Sequence, residues 1–248
     1  MLFRSTAEGE ASALATRVVK TFGFGESKVE TELKGIDWPK EVTVGYRAKY
    51  PEIHLRLYAE GAADTLAPAL ARSEAAIRER MGIRVFGVDD DSMASVLGGL
   101  LLAKKWKLAL AESCTGGMLG SLLTEVAGSS AWFDRAWVTY SNEAKMAMLG
   151  VPEATIASVG AVSEQTAIAM ATGARERSGC PIALSITGIA GPSGGTAEKP
   201  VGTVFIACAT PDGVEARALK FVGDRERIRM GAAWAAMDIA RRALLGAP

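Results

Sequence analysis

Residues 108–117 read LALAESCTGG: an apolar run, Leu108 to Ala111, passes without a spacer into Glu112, Ser113, Cys114, Thr115 and the pair Gly116-Gly117. A turn needs a glycine or an asparagine, but it does not need a carboxylate, two hydroxyls and a thiol together. A strand that ends in such a turn and opens a helix leaves backbone N–H groups free at the helix N-terminus. Those donors and the helix dipole favour an anion, phosphate above all. Ser113 and Thr115 add hydroxyl donors, and Gly116 and Gly117 let a ligand approach the backbone. The same stretch also reads as a tight β-to-α turn capped by Ser113.

A second group lies in GSSAWFDRAWVTYSNEAK, residues 128–145. Ser129 and Ser130 lie just past a helix end, while Tyr140 and Lys145 bracket the entry to the next helix. Serine, lysine and tyrosine can carry out acyl transfer without histidine, because a desolvated lysine is neutral often enough to take a proton from serine. A surface lysine and an ordinary buried tyrosine would give the same spacing. In SITGIAGPSGGTAEKPVGTV, residues 185–204, glycines and prolines follow an apolar strand. A glycine-rich loop of that length is more often functional than not, although it matches neither a P-loop nor a dinucleotide fingerprint. In GDRERIR, residues 223–229, three arginines crowd the first turns of a helix, where the dipole disfavours cations. A phosphate held there would offset that placement; a solvated arginine face is the alternative.

The elements that must position these residues fall into two blocks. Up to about residue 90 the order is β-α-β-β-α: a strand over 17–22, a helix over 27–36 capped by Ser27, a hairpin of VTVGYRAKY and EIHLRLYAE, and an amphipathic helix over 64–82 capped by Asp64 and closed by Gly82. The acidic joint GVDDDSM separates residues 1–90, a small α+β module, from residues 91–248. The second block alternates regularly. Helices over 93–105, 116–126, 141–149, 164–177 and 224–245 interleave with strands KLALA, WVTY and PIALSITG, and with a hairpin of GTVFIACAT and EARALKFV. That order implies an α/β fold, an α/β/α sandwich with a mixed sheet.

Composition narrows the chemistry. Among 248 residues, 28 lysines and arginines balance 28 aspartates and glutamates, so a broad nucleic-acid footprint is not expected. The single histidine, His54, lies in a strand far from every glycine-rich loop and reads as structural. Histidine-based metal sites and Ser-His-Asp triads therefore have no support. Cys114, Cys180 and Cys208 show no CxxC spacing, which fits a reducing, cytoplasmic setting. No signal peptide and no membrane-spanning stretch is expected, since the longest apolar run, 97–103, is too short.

Taken in order, AESCTGG, GSSAWF, VTYSNEAK, GAVSE, TGIAGPSGG, KPVGTV and the GDR arginines resemble the CinA (competence/damage-inducible protein) family, from about residue 95 to 245. The first block, with KTFGFGES and EIHLRLYAEG, is similar to the KH-like central module of long CinA proteins, but it shows no GxxG clamp, so RNA binding is not inferred. The molybdopterin-binding-like domain of the long forms is expected to be absent, and its ADP-ribose pyrophosphatase activity is not carried over. The resemblance implies a nicotinamide-nucleotide amidohydrolase: nicotinamide mononucleotide (NMN) plus water gives nicotinate mononucleotide and ammonia, with no cofactor and no metal. On that reading a serine attacks, Lys145 activates it and Tyr140 relays or positions the proton. Ser130 is placed ahead of Ser113 as nucleophile, because the 113 turn suits a phosphate better. Glu112, Thr115, Gly116, Gly117, Thr187, Gly188 and Arg227 are the expected substrate contacts. A homo-oligomer, at least a dimer, acting on a pyridine mononucleotide is implied. The alternative is a non-catalytic nucleotide-binding accessory protein in competence, DNA uptake or recombination.

Overall fold

The computed structural model describes residues 3–4 and 12–247. The chain divides into two compact units, Met1–Ser92 and Met93–Pro248.

The first unit runs β1 (Phe3–Arg4), β2 (Ala13–Phe22), α1 (Glu26–Leu33), β3 (Val42–Lys49), β4 (Glu52–Gly61), α2 (Ala63–Met81) and β5 (Val85–Val88). Its strands form one antiparallel sheet in which β4 lies between β3 and β2, while β1 and β5 both pair with the far edge of β2. On β4 the alternate residues Ile53, Leu55, Leu57 and Ala59 are buried in a core shared with Leu66, Ala69, Leu70, Ile77 and Met81 of α2. Period two on the strand thus meets a helical stripe on α2.

Several expectations need correcting here. Strand β5 pairs with a segment distant in sequence, Val88 facing Val19, so no local hairpin signal announces it. Ser27 lies inside α1, whose capping position is Gly25. Asp64 lies in the first turn of α2 rather than at its cap, which is Ala62; its carboxylate acts there through the helix dipole.

The second unit contains α3 (Met93–Lys104), β6 (Leu108–Glu112), α4 (Met118–Thr124), β7 (Phe133–Val138), α5 (Asn142–Leu149), α6 (Glu153–Val159), α7 (Glu164–Ser178), β8 (Ile182–Gly188), β9 (Thr203–Thr210), β10 (Gly213–Lys220) and α8 (Arg225–Leu245). The sheet order is β10-β9-β8-β6-β7. Strands β7, β6 and β8 are parallel, and the hairpin β9-β10 joins antiparallel to β8. Helix α7 packs against the sheet together with α5 and α6, while α3 and α4 pack with α8 in a second helical layer.

One sheet face is made of small residues. Ala109 is level with Ala183, which is level with Ala209, and Ala111 is level with Ser185, which is level with Ala207. These short side chains bring α7 close, and Ser185 Oγ donates to the Ala167 carbonyl of α7 at 2.6 Å. Pleating turns Ile182, Leu184 and Ile186 to the opposite face. On α7, Gly173 lies where a Cβ would come within 1.9 Å of the Leu149 carbonyl oxygen, so the end of α5 rests directly on its backbone. Helix α6 was not anticipated, and β7 starts four residues earlier than WVTY, at Phe133 rather than Trp137. Among the described residues no helix is long and apolar enough to cross a membrane.

Candidate active site

The connection leaving the carboxyl end of β6 leads to α4, in the layer of α8, whereas that leaving its neighbour β7 leads to α5, in the layer of α7, so the two diverge toward different faces. A crevice outside such strand ends is where α/β sheets bind ligands. Here a cavity of about 330 Å³ is lined by Ser113 and Cys114 after β6, Tyr140 after β7, Lys145 on α5, Thr187 and Gly188 ending β8, and Arg225 opening α8. Its remaining wall includes Asn142, Ala161, Val162 and the loop over 189–194.

The turn after β6 is locked from inside the chain. Glu112 is fully buried, and its carboxylate accepts the backbone N–H groups of Gly117 and Leu119 at 3.1 Å and of Gly120 at 2.9 Å. The donors expected to hold a phosphate at this helix end are thus taken by the chain's own carboxylate. Gly117, the capping residue, has φ of +92° and carries no side-chain cap. Gly116 N–H donates to the Ser113 carbonyl. Thr115 is buried, and its carbonyl accepts from the Arg229 guanidinium of α8. What the turn leaves facing the cavity are Ser113 and Cys114, with Ser113 anchored to β8 by its N–H donating to the Ile186 carbonyl at 2.9 Å.

Lys145 is the most unusual side chain at the site. It is 2% exposed, and its Nζ donates to the carbonyls of Thr139 at 3.0 Å, Tyr140 at 3.3 Å and Ser141 at 3.4 Å. No carboxylate lies within ion-pair distance of it among the described residues. Burial pulls its pKa below the ordinary lysine value, opposed by the Cys114 thiol and Glu143. The arrangement is local in origin. Ser141 caps α5 by accepting from the Ala144 N–H, which places Lys145 one turn later, over the carbonyls that end β7.

Other expected residues have different surroundings. The Tyr140 side chain is exposed, and its hydroxyl accepts from Arg225 Nη2 at 3.1 Å. Arg225 Nη1 donates to the Gly191 carbonyl at 2.8 Å. The Thr187 hydroxyl donates to the Ala161 carbonyl at 2.7 Å, holding the cavity wall rather than reaching into it. Gly188 leaves no room for a side chain, since a Cβ would lie 2.7 Å from Val204 Cγ2.

Ser130 and Arg227, like Glu112, Thr115, Gly116 and Gly117, are not among the residues lining the cavity. Ser130 belongs to a 3-10 turn, Ser129–Ala131, that precedes β7. Because β6 and β7 are parallel, with Leu108 level with Phe133 and Glu112 level with Val138, Ser130 lies at the opposite end of the sheet from Ser113. The GSSAWF stretch serves packing instead. Its Trp132 is buried against Gly98 of α3, where a Cβ would come within 2.6 Å of the indole. Arg227 gives its backbone N–H to the capping carboxylate of Asp224, and Arg225 takes the place at the cavity expected of it. Arg225 and Arg229 are spaced i, i+4 and share a helix face, whereas Arg227 between them does not. Cys114 was also missed as a lining residue. Burial pushes its thiol pKa up to about 11, so it stays protonated at neutral pH.

The second unit is therefore a three-layer α/β domain with a cavity at the carboxyl ends of its parallel strands. The chain belongs to the CinA family: the CinA C-terminal domain matches residues 90–244, and the damage-inducible protein CinA KH domain matches residues 16–87. A CinA-like protein of Geobacter sp. (strain M21) is 49% identical over 85% of this chain and 50% of its own length. The chain spans about half the length of the curated relatives it matches. Among solved structures, the competence/damage inducible protein CihA from Agrobacterium tumefaciens is 42% identical with a TM-score of 0.58, covering 62% of this chain and 97% of that one. A CinA superfamily protein from Klebsiella pneumoniae is 37% identical with a TM-score of 0.60, covering 62% and 96%.

Proposed function

We propose that the second unit hydrolyses the carboxamide of NMN to nicotinate mononucleotide and ammonia, with Ser113 as nucleophile and Lys145 as general base. The observation that carries this reading is a buried lysine, without a carboxylate partner, lining the same cavity as a serine at a strand-to-helix turn.

As an ammonium, Lys145 has three N–H donors for three carbonyls. As a neutral amine it keeps two and turns a lone pair toward the cavity. Desolvation lowers the cost of that neutral form. The amine takes the Ser113 proton as Oγ bonds to the carboxamide carbon. Collapse of the tetrahedral intermediate breaks the C–N bond, and the Lys145 proton leaves with ammonia. Water then attacks the acyl-enzyme, giving its proton to Lys145 and through it to Ser113 Oγ, which frees the carboxylate product. Cys114 is a poor rival as nucleophile, because the thiolate is the reactive form.

The test is ammonia release from NMN by purified protein, with Ser113→Ala and Lys145→Ala in parallel. Turnover by the wild type and near-total loss in both variants is the expected result. Binding of NMN without turnover would leave the nucleotide-binding accessory role instead.

A further inference from the structure

Among the residues lining the cavity only Lys145 and Arg225 carry a charge, and no carboxylate lines it. Lys145 is sealed from solvent and spends its donors on three backbone carbonyls. Arg225 is exposed. A guanidinium has five N–H donors in one plane. Two of them are used here, one on the Gly191 carbonyl and one on the Tyr140 hydroxyl, which leaves three for a ligand. A fork held at two points from two different loops is pre-oriented, and bidentate contact with a phosphate depends on that orientation.

We propose that Arg225 selects substrates bearing a phosphate monoester, and that the Tyr140 hydroxyl is a positioning group for this arginine rather than a proton relay. The substrate identity rests on the amidase reading above, whereas the phosphate site does not. Two other places for the phosphate are closed. Glu112 fills the N-terminus of α4, and Arg227 stands outside the cavity lining. The assignment also gives Tyr140 a role that fits its position. Its backbone carbonyl steadies Lys145, while its hydroxyl reaches outward to the arginine. One residue thereby ties the reacting end of the cavity to the phosphate end.

The experiment has a binding arm and a kinetic arm, each using wild type, Arg225→Gln, Arg225→Lys and Tyr140→Phe. Calorimetry with ribose 5-phosphate and with ribose reads the phosphate site without any chemistry. Ribose 5-phosphate is expected to bind the wild type at least tenfold more tightly than ribose, and Arg225→Gln to weaken it about thirtyfold, with partial recovery in Arg225→Lys. In the kinetic arm, the ratio of kcat/KM for NMN over nicotinamide riboside falls about 30–100-fold in Arg225→Gln. Tyr140→Phe raises KM for NMN about five- to tenfold with a smaller change in kcat. An unchanged ratio and unchanged ribose 5-phosphate affinity in Arg225→Gln would overturn the selection role. A fall in kcat on both substrates in Tyr140→Phe, with KM unmoved, would restore the relay. Arginine-dependent ribose 5-phosphate binding in a protein that turns over neither amide would sink the amidase and keep the phosphate site.

Discussion

Lys145 Nζ lies 3.0 Å from the Thr139 carbonyl oxygen, and both residues are sealed from solvent. The pair fixes the amine at the end of β7 without any carboxylate to hold its charge. Lys145→Ala removes the proposed general base, and a loss of about 10²–10⁴ in kcat is expected. Lys145→Arg should not rescue it, since a guanidinium does not give up its proton. Steady-state ammonia release on the two variants decides the matter.

The same burial sets a pH dependence. The proposed mechanism needs the neutral amine, so kcat/KM is expected to rise with pH along one limb. Its midpoint should lie below the ordinary lysine value of about 10.4, because desolvation lowers the pKa. Stability follows the same sign. With the folded pKa below the unfolded one, the unfolded chain binds more protons between the two values. The contribution is fully present above the unfolded value and is lost as pH falls toward the folded one. Lys145→Met should flatten that part of a denaturation-versus-pH curve, and an identical slope in the variant would argue against it.

The two serines separate cleanly. Ser113→Ala is expected to abolish turnover, by about 10³-fold or more, whereas Ser130→Ala should stay within about threefold of wild type. A covalent adduct trapped from NMN and mapped by mass spectrometry should sit on Ser113; an adduct on any other residue would reassign the nucleophile.

Glu112 offers a test of stability rather than chemistry. Its two carboxylate oxygens accept three backbone N–H groups at the start of α4. Glutamine keeps one acceptor oxygen and points an NH₂ at donors. Glu112→Gln should therefore cost about 2–4 kcal/mol, measured by urea denaturation.

Gly173→Ala tests the contact between α7 and the end of α5. With the added Cβ 1.9 Å from the Leu149 carbonyl oxygen, the backbones must separate. A loss of about 3 kcal/mol or more is expected, and a variant of unchanged stability would show that the two helices part freely.

Much of this was legible in the residues. Strand-to-helix alternation marks most elements of the second unit, and the cap residues Ser141, Ser163 and Asp224 start α5, α7 and α8 where the sequence places them. Other features needed the fold. The sequence places Ser130 slightly ahead of Ser113 as nucleophile, and only the parallel register of β6 and β7 puts the two at opposite ends of the sheet. Glu112 looked like a ligand group because its use depends on how tightly the turn closes. A clue was present, in that α4 has no Ser, Thr, Asp or Asn at its cap and a carboxylate precedes it. Arg225 could have been preferred over Arg227 from helical spacing alone, once Asp224 was taken as the cap. The pairing of β5 with β2 had no local signal at all.

Helix α8 supplies Arg225 to the cavity and Arg229 to the Thr115 carbonyl, yet it is synthesised after every other element that lines the cavity. While the ribosome is still extending the chain, Ser113 and Lys145 already exist, but the turn carrying Ser113 lacks its brace and the cavity lacks one wall. The pocket closes only when α8 docks. A chain released before α8 thus carries Ser113 and Lys145 without the wall that encloses them.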